Sequence, residues 1–312
     1  MTALVSVIVA AYNAADLIGE TLESIQSQSY SDIEIIVVDD GSGDSTREVV
    51  RRFDGVTLIE STNSGGPSVP RNIGARHARG DYLAFFDADD LMTTDHIRML
   101  VEFLESHASA QLAICNYRNF TEQGPYPRTH FDTCTNLRRV LAKLDSNLLT
   151  GSQARDALLI ENFGCTCASM FRRAAFEASG GFDAGLHVGE DYDLIYRVAG
   201  MGDVGVVPYV GFDRRLHGNN VSNRVEYNLR QKLRTRQKIL AGEPDAARQR
   251  SLRHIIGRLH ADLFQHLSRR SPREALMHLW HAASSGAGVV NIQTLKGLAK
   301  VAIGSSERLL RG

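Results

Sequence analysis

Along its first two hundred residues the chain switches repeatedly between two periods. Residues 4–10 form a short, nearly continuous apolar run rich in β-branched side chains, the pattern of a strand buried on both faces. Behind it Ile18, Leu22 and Ile25 recur at the spacing of one helical face. The same alternation predicts strands at 33–38, 56–59, 82–86 and 112–115 and helices over 44–53 and 71–79. Another helix follows Thr94, with Ile97, Leu100, Val101 and Leu104 inward. Gly124-Pro125-Tyr126-Pro127 reads as a turn, and 136–149 and 152–161 read as helices. A strand at 168–171, a helix at 173–178 ended by Gly180-Gly181, a helix at 190–198 and a strand at 204–210 complete this part.

Alternating β and α units imply an α/β fold, a mostly parallel sheet flanked by helices on both faces. Ligands bind such sheets outside the carboxyl ends of the strands. Three predicted strands end in polar sequences: Ala11-Tyr12-Asn13, Asp39-Asp40-Gly41-Ser42 and Asp87-Ala88-Asp89-Asp90. Those ends should share one cleft. Near residue 223 the alternation stops and four helical patterns follow. One carries the stripe Leu252, Ile255, Ile256, Leu259, Leu263 and Leu267; another opens on the capping box Ser271-Pro272-Arg273-Glu274. The last covers about 292–303. The expected division is an α/β unit over 1–222 and an all-helical C-terminal extension over 223–312.

Composition sharpens this division. The 312 residues are 43% apolar and 23% charged, as in a soluble globular protein. The start lacks the basic segment of a secretory leader, and no apolar run approaches the roughly 20 residues that span a bilayer. The four cysteines, Cys115, Cys134, Cys165 and Cys167, lack the spacing of a zinc set. They read as buried structural thiols, and the cytoplasm is the expected compartment. The net charge of −1 hides an asymmetry: residues 1–212 carry 16 Lys and Arg against 29 Asp and Glu, and residues 213–312 carry 19 against 7. Such a split suggests two units with different tasks.

Three carboxylates in Asp87-Ala88-Asp89-Asp90 repel one another unless a cation neutralises them. Mg²⁺ or Mn²⁺ does so, typically with one or two protein carboxylates plus phosphates and water. The plain alternative is a solvated turn. Asp39-Asp40 can accept hydrogen bonds from a base or ribose, or can simply complement a helix N-terminus. The Gly-rich loop from Asn63 to Pro67, with Arg71 beside it, could wrap a ribose and meet a diphosphate, or be only a turn. Glu190-Asp191 opens a helix, where a carboxylate could serve as a general base. His217 stands among cations and small polar residues, which suits phosphate or metal binding.

Taken in order, these segments resemble the inverting glycosyltransferases of family 2, with the Rossmann-like GT-A fold. The resemblance runs over about residues 3–222. It rests on Val5-Ser-Val-Ile-Val-Ala-Ala-Tyr12-Asn13, Val38-Asp39-Asp40-Gly41-Ser42, Arg71-Asn72-Ile-Gly74 and Gly80-Asp81-Tyr82-Leu-Ala-Phe-Phe-Asp87-Ala-Asp89-Asp90. It continues through Gly180-Gly181-Phe182-Asp183, Glu190-Asp191-Tyr-Asp193 and Arg215-Leu-His217. Ala11 stands where many members have proline. The resemblance implies that Ala10, Tyr12 and Asp40 line a nucleoside pocket and that Arg71 helps hold the diphosphate or ribose. It implies that Asp87 and Asp89, with Asp90 and His217, meet Mn²⁺ or Mg²⁺ and the sugar nucleotide, and that Asp191 is the catalytic base. The implied donor is a nucleoside-diphosphate sugar, most often UDP-linked. The implied acceptor is a hydroxyl of a glycan or lipid-linked glycan, as in bacterial surface polysaccharide synthesis.

Other classes fit less well. A Rossmann dehydrogenase needs G-x-G-x-x-G after the first strand, which is absent. A sugar-phosphate nucleotidyltransferase would carry a Gly-rich basic loop there. A non-catalytic scaffold should have lost acids that are all present. Arg230, Lys232, Arg234, Arg236 and Lys238 spread around a helix. They suggest peripheral contact with anionic lipid on the inner face of the plasma membrane, with a solvated helix as the plain alternative. No nucleic-acid recognition motif accompanies them.

Overall fold

A computed structural model of the chain describes residues 2–218 and 224–285. These fall into two compact units, the first ending at Gly218. The expected helix at 292–303 lies outside the described residues.

The first unit opens with β1 (Val5–Ala11), α1 (Ile18–Gln26), β2 (Ile33–Asp39), α2 (Thr46–Val50), β3 (Val56–Glu60), α3 (Ser68–His77) and β4 (Tyr82–Asp87). The unit continues with β5 (Leu91–Met92), α4 (His96–Ser106), β6 (Ala110–Thr121), β7 (Gly124–Thr129), α5 (His130–Thr133) and α6 (Thr135–Leu141). It ends with β8 (Leu148–Leu149), α7 (Gly151–Ile160), β9 (Ser169–Arg172), α8 (Arg173–Ala178), α9 (Glu190–Ala199) and β10 (Asp203–Arg215). The ten strands form one sheet in the order β3-β2-β1-β4-β9-β6-β10-β5, with β7 against β6 and β8 against β10. The β3, β2, β1 and β4 strands are parallel, as are β6 and β10; β9 runs antiparallel between β4 and β6.

The apolar runs behave as their pattern requires. Val5, Val7, Ile8 and Val9 of β1 are wholly buried, as are Val37 and Val38 of β2. Helix α1 buries Ile18, Leu22 and Ile25, and α4 buries Ile97, Leu100, Val101 and Leu104. Register places Ala11 beside Asp39, and Ala10 beside both Val38 and Asp87. The polar ends of three adjacent strands therefore lie side by side.

Several boundaries differ from expectation. The supposed turn at 124–127 is part of β7, and the reversal precedes it. Pro125 and Pro127 are tolerated because β7 pairs on one side only. The β6 and β10 strands outrun their apolar segments because they continue as mutual partners to Phe120 and Arg215. The helix expected over 136–149 stops at Leu141, and Leu148–Leu149 pairs with β10.

The described part of the second unit is helical: α10 (Val225–Gly242), α11 (Ala246–Leu267) and α12 (Pro272–Ser284). Phe264 and Leu267 of α11 pack on Ala275 and Leu279 of α12. Pro272 sits in the first turn of α12, but Ser271 makes no side-chain cap. The Glu274 carboxylate instead accepts a hydrogen bond from Arg230 at 2.7 Å. Among the described residues no helix is long and apolar enough to cross a membrane.

Candidate active site

The loops after β1 and β2 brace each other. Asn13 adopts a left-handed backbone (φ 48°). Its N–H donates to Ser42 Oγ at 2.9 Å, and its Oδ1 accepts from the Gly43 N–H at 2.8 Å. Ala14 N–H donates to Thr46 Oγ1 at 2.8 Å. Tyr12, held between these anchors, is 54% exposed. Ala10 is half-buried at the strand end. Gly41 (φ 75°) passes so close to the next loop that a Cβ would lie 2.7 Å from Asn63 N. Glycine is therefore required there.

Asp39 and Asp40 have separate tasks. Asp39 is wholly buried, and its Oδ2 accepts from the Ser42 N–H at 3.1 Å, so it shapes the turn. Asp40 is 4% exposed, and its carboxylate accepts from Ser64 N–H at 3.0 and 3.1 Å and from Ser64 Oγ–H at 3.0 Å. Asp40 thus fastens the Gly-rich loop over the end of β2.

Arg71 ties two distant segments together. It projects from α3 with 3% exposure and donates from NH2 to Asp87 Oδ1 at 2.6 Å and from NH1 to Glu190 Oε1 at 2.7 Å. Burial works against its charge, but the two carboxylates outweigh burial and raise the guanidinium above its ordinary value. Glu190, at the start of α9, is held up at about 7 by burial and by the adjacent Asp191 charge, with Arg71 pulling the other way. Asp191 is half-buried, and its Oδ1 accepts from the Tyr192 N–H at 2.6 Å. The α9 N-terminus favours a carboxylate there.

Beyond Asp87 the chain turns back across the end of β10. Asp89 Oδ2 lies 2.9 Å from His217 Nε2. Burial, then the Asp87 charge, raises the Asp89 carboxyl, and the His217 contacts oppose this. Asp90 is buried; its Oδ1 accepts from the Arg215 N–H at 2.9 Å. Burial, then Asp87 and Asp89, push its carboxyl well above the usual range. Arg215 also donates to Asp89 O at 2.9 Å and to Glu20 Oε2 at 2.7 Å.

One neighbour was not anticipated. Cys167, read as a structural thiol, places its sulfur with oxygens of Asp87 and Asp90, all within 4.8 Å of one another. Its Sγ accepts from the Asp87 N–H at 3.3 Å. Two carboxylates and a thiol at that spacing fit a divalent cation. The C-T-C sequence concealed this because its partners are Asp87, at the end of β4, and Asp90, just beyond it. All four cysteines are free thiols.

The sequence model of the family described as Glycosyl transferase family 2 matches residues 6–180. The chain belongs to this family. It is 31% identical over 224 residues to the succinoglycan biosynthesis protein ExoO of Rhizobium meliloti, an alignment covering 70% of this chain and 62% of that protein. The chain thus spans under two thirds of ExoO, and still less of other curated family members it matches. Staphylococcus aureus TarS 1–349 in complex with UDP-GlcNAc superimposes with a TM-score of 0.68 at 19% identity, covering 96% of this chain and 89% of that one. A Pyrobaculum calidifontis mannosyltransferase in complex with GDP-Man and Mn²⁺ gives 0.62 at 23% identity, covering 99% and 81%. These likenesses show the GT-A fold.

Proposed function

We propose that the chain is a metal-dependent inverting glycosyltransferase. In this reading it moves a sugar from a nucleoside-diphosphate sugar, UDP-linked, to a hydroxyl of a glycan or lipid-linked glycan acceptor in surface polysaccharide synthesis. The observation that carries the reading is the buried Arg71 bridge. It draws the acidic end of β4 and the Asp191 end of α9 to one place. A nucleoside-diphosphate site and a general base belong together in such a reaction. The TarS complex with UDP-GlcNAc and the ExoO match favour a UDP-sugar donor and a polysaccharide product.

The roles follow from position. Exposed Tyr12 offers a ring for the base to stack on, with Ala10 and Asp40 beside it. Asp87, Asp89 and Asp90, with His217 beside Asp89, would hold the cation and meet the diphosphate. Arg71, with both terminal nitrogens on carboxylates, acts on the diphosphate by holding Asp87. A divalent cation, Mn²⁺ or Mg²⁺, supplies neutralisation of the charge that builds on the leaving diphosphate. Asp191 takes the proton from the acceptor hydroxyl as its oxygen attacks the anomeric carbon opposite the leaving group. A single displacement inverts that carbon.

The basic second unit would bring the enzyme to anionic lipid at the inner face of the membrane, where a lipid-linked acceptor resides. Exposed Leu276, Met277 and Trp280 on α12 support this.

Thermal unfolding tests the donor reading. UDP or a UDP-sugar at about 100 times its dissociation constant should stabilise the fold by about 2.7 kcal/mol. The effect should require Mn²⁺ or Mg²⁺. Failure of every nucleoside diphosphate and sugar nucleotide to stabilise the protein with either ion would sink the reading.

A further inference from the structure

We infer that the His187 imidazole binds the donor, its Nδ1 pairing with a hydroxyl of the nucleotide-sugar. The inference rests on the proposed transferase reading and adds to it a contact that none of the motif residues supplies.

The geometry begins with a strap. The segment from Phe182 to Glu190 links α8 to α9 and is fastened to α3 along its length. Asn72 Nδ2 donates to Phe182 O at 2.7 Å, and Asn72 Oδ1 accepts from the Phe182 N–H at 3.0 Å. Ser68 Oγ–H donates to Leu186 O at 2.8 Å, and Arg71 holds Glu190. His187 therefore stands at a fixed place, three residues ahead of Glu190 and four ahead of Asp191. Its half-buried ring lies against the Gly-rich loop: a Cβ on Gly66 would collide with it, and one on Gly65 would lie 3.8 Å from Cε1. In the same loop Ser64 Oγ lies 3.0 Å from Asp40 Oδ2 and 3.1 Å from Gly66 O. Asp40, Ser64, Gly66 and His187 thus form a continuous row. That row joins the end of β2, where the nucleobase is proposed to lie, to the segment bearing Asp191.

The chemistry points the same way. His187 Nδ1 is buried and has no hydrogen-bond partner among the described residues. Leaving a buried nitrogen unpaired is costly, and native proteins rarely do so without a use for it. His96 Nε2 is also unpaired, but that ring is flanked by Phe86 and Phe212. His187 Nδ1 is covered by a glycine instead. A donor entering under the loop displaces Gly66 and gives Nδ1 a hydroxyl to meet. A hydroxyl both donates and accepts, so it pairs with either tautomer of the ring. Binding then replaces an unmet group by a hydrogen bond without disturbing the strapped segment. The ribose and the transferred sugar both offer such a hydroxyl.

The test compares two replacements in the full chain. His187→Phe keeps a ring and loses the nitrogen. His187→Asn loses the ring and keeps a hydrogen-bonding group close to the Nδ1 position. Affinities for UDP, UDP-glucose and UDP-GlcNAc are measured by calorimetry with Mn²⁺. His187→Phe should weaken binding about tenfold, about 1.4 kcal/mol, and His187→Asn should weaken it less. A loss already present with UDP assigns the ribose hydroxyl; a loss confined to the two UDP-sugars assigns the transferred sugar. If His187→Phe binds at least as tightly as His187→Asn, the ring is only a prop for the loop and the inference is overturned. In that case wild-type binding is intact and the transferase reading stands. Failure of the wild type to bind any of the three with Mn²⁺ or Mg²⁺ takes both down together.

Discussion

At the scale of single residues, the site depends on one buried cation shared by two acids. Replacing Arg71 with Met would leave Asp87 and Glu190 facing each other unpaired. Breaking a buried ion pair in this way should destabilise the first unit by about 3–5 kcal/mol, read as a shift in urea midpoint. Glu190, already held up at about 7 by burial and Asp191, would then rise further. Asp191 should behave differently, because its proposed role is to take up a proton. Asp191→Asn should lower the transfer rate by on the order of 10²–10⁴ and leave metal-dependent UDP binding unchanged. Equal loss of binding and transfer would count against the base assignment. Much of this was legible in advance: the acids at the strand ends and the helix-opening Glu190-Asp191 stand out in the sequence. What stayed hidden were partners far apart in the chain. Nothing near Arg71 announces Glu190, 119 residues on, and nothing near Cys167 announces Asp87.

At the scale of elements, the periodicity served best where the apolar run was continuous. The β1, β2 and β4 strands were readable because both their faces are buried. The strands β5, β7 and β8 were not, since they are set by their pairing partners and carry little pattern of their own. One internal residue also sets the acid limb of stability. His96, at the start of α4, is enclosed beside Phe86 and Phe212, and its Nδ1 lies 3.0 Å from Gly211 O. Burial pulls its pKa from 6.5 to about 4, with the Gly211 contact opposing. The unfolded chain therefore takes up this proton near pH 6.5, and the folded chain only near pH 4. The associated stability is fully present above pH 6.5 and is lost as pH falls toward 4, by about 3 kcal/mol. His96→Phe should lose less stability than the wild type over that window. Parallel pH profiles of the two proteins would contradict the account.

At the scale of the whole molecule, the charge division is the main feature. The acidic first unit and the basic helical unit should separate by function. The full chain should float with anionic liposomes at low salt and be released at high salt, as surface-charge attraction requires. A chain ending at residue 222 should not float and should bind UDP with Mn²⁺ as the full chain does. Flotation of the shortened chain would place lipid contact elsewhere. The fastening of the Gly-rich loop by Asp40 has a consequence for the tempo of the reaction. A carboxylate that is 4% exposed and already accepts three hydrogen bonds from Ser64 has little room for a nucleoside. If Asp40 is to read the base, the loop must first let go. Donor capture then proceeds at the pace of that release, well below the rate of collision, and saturates however much nucleotide is supplied.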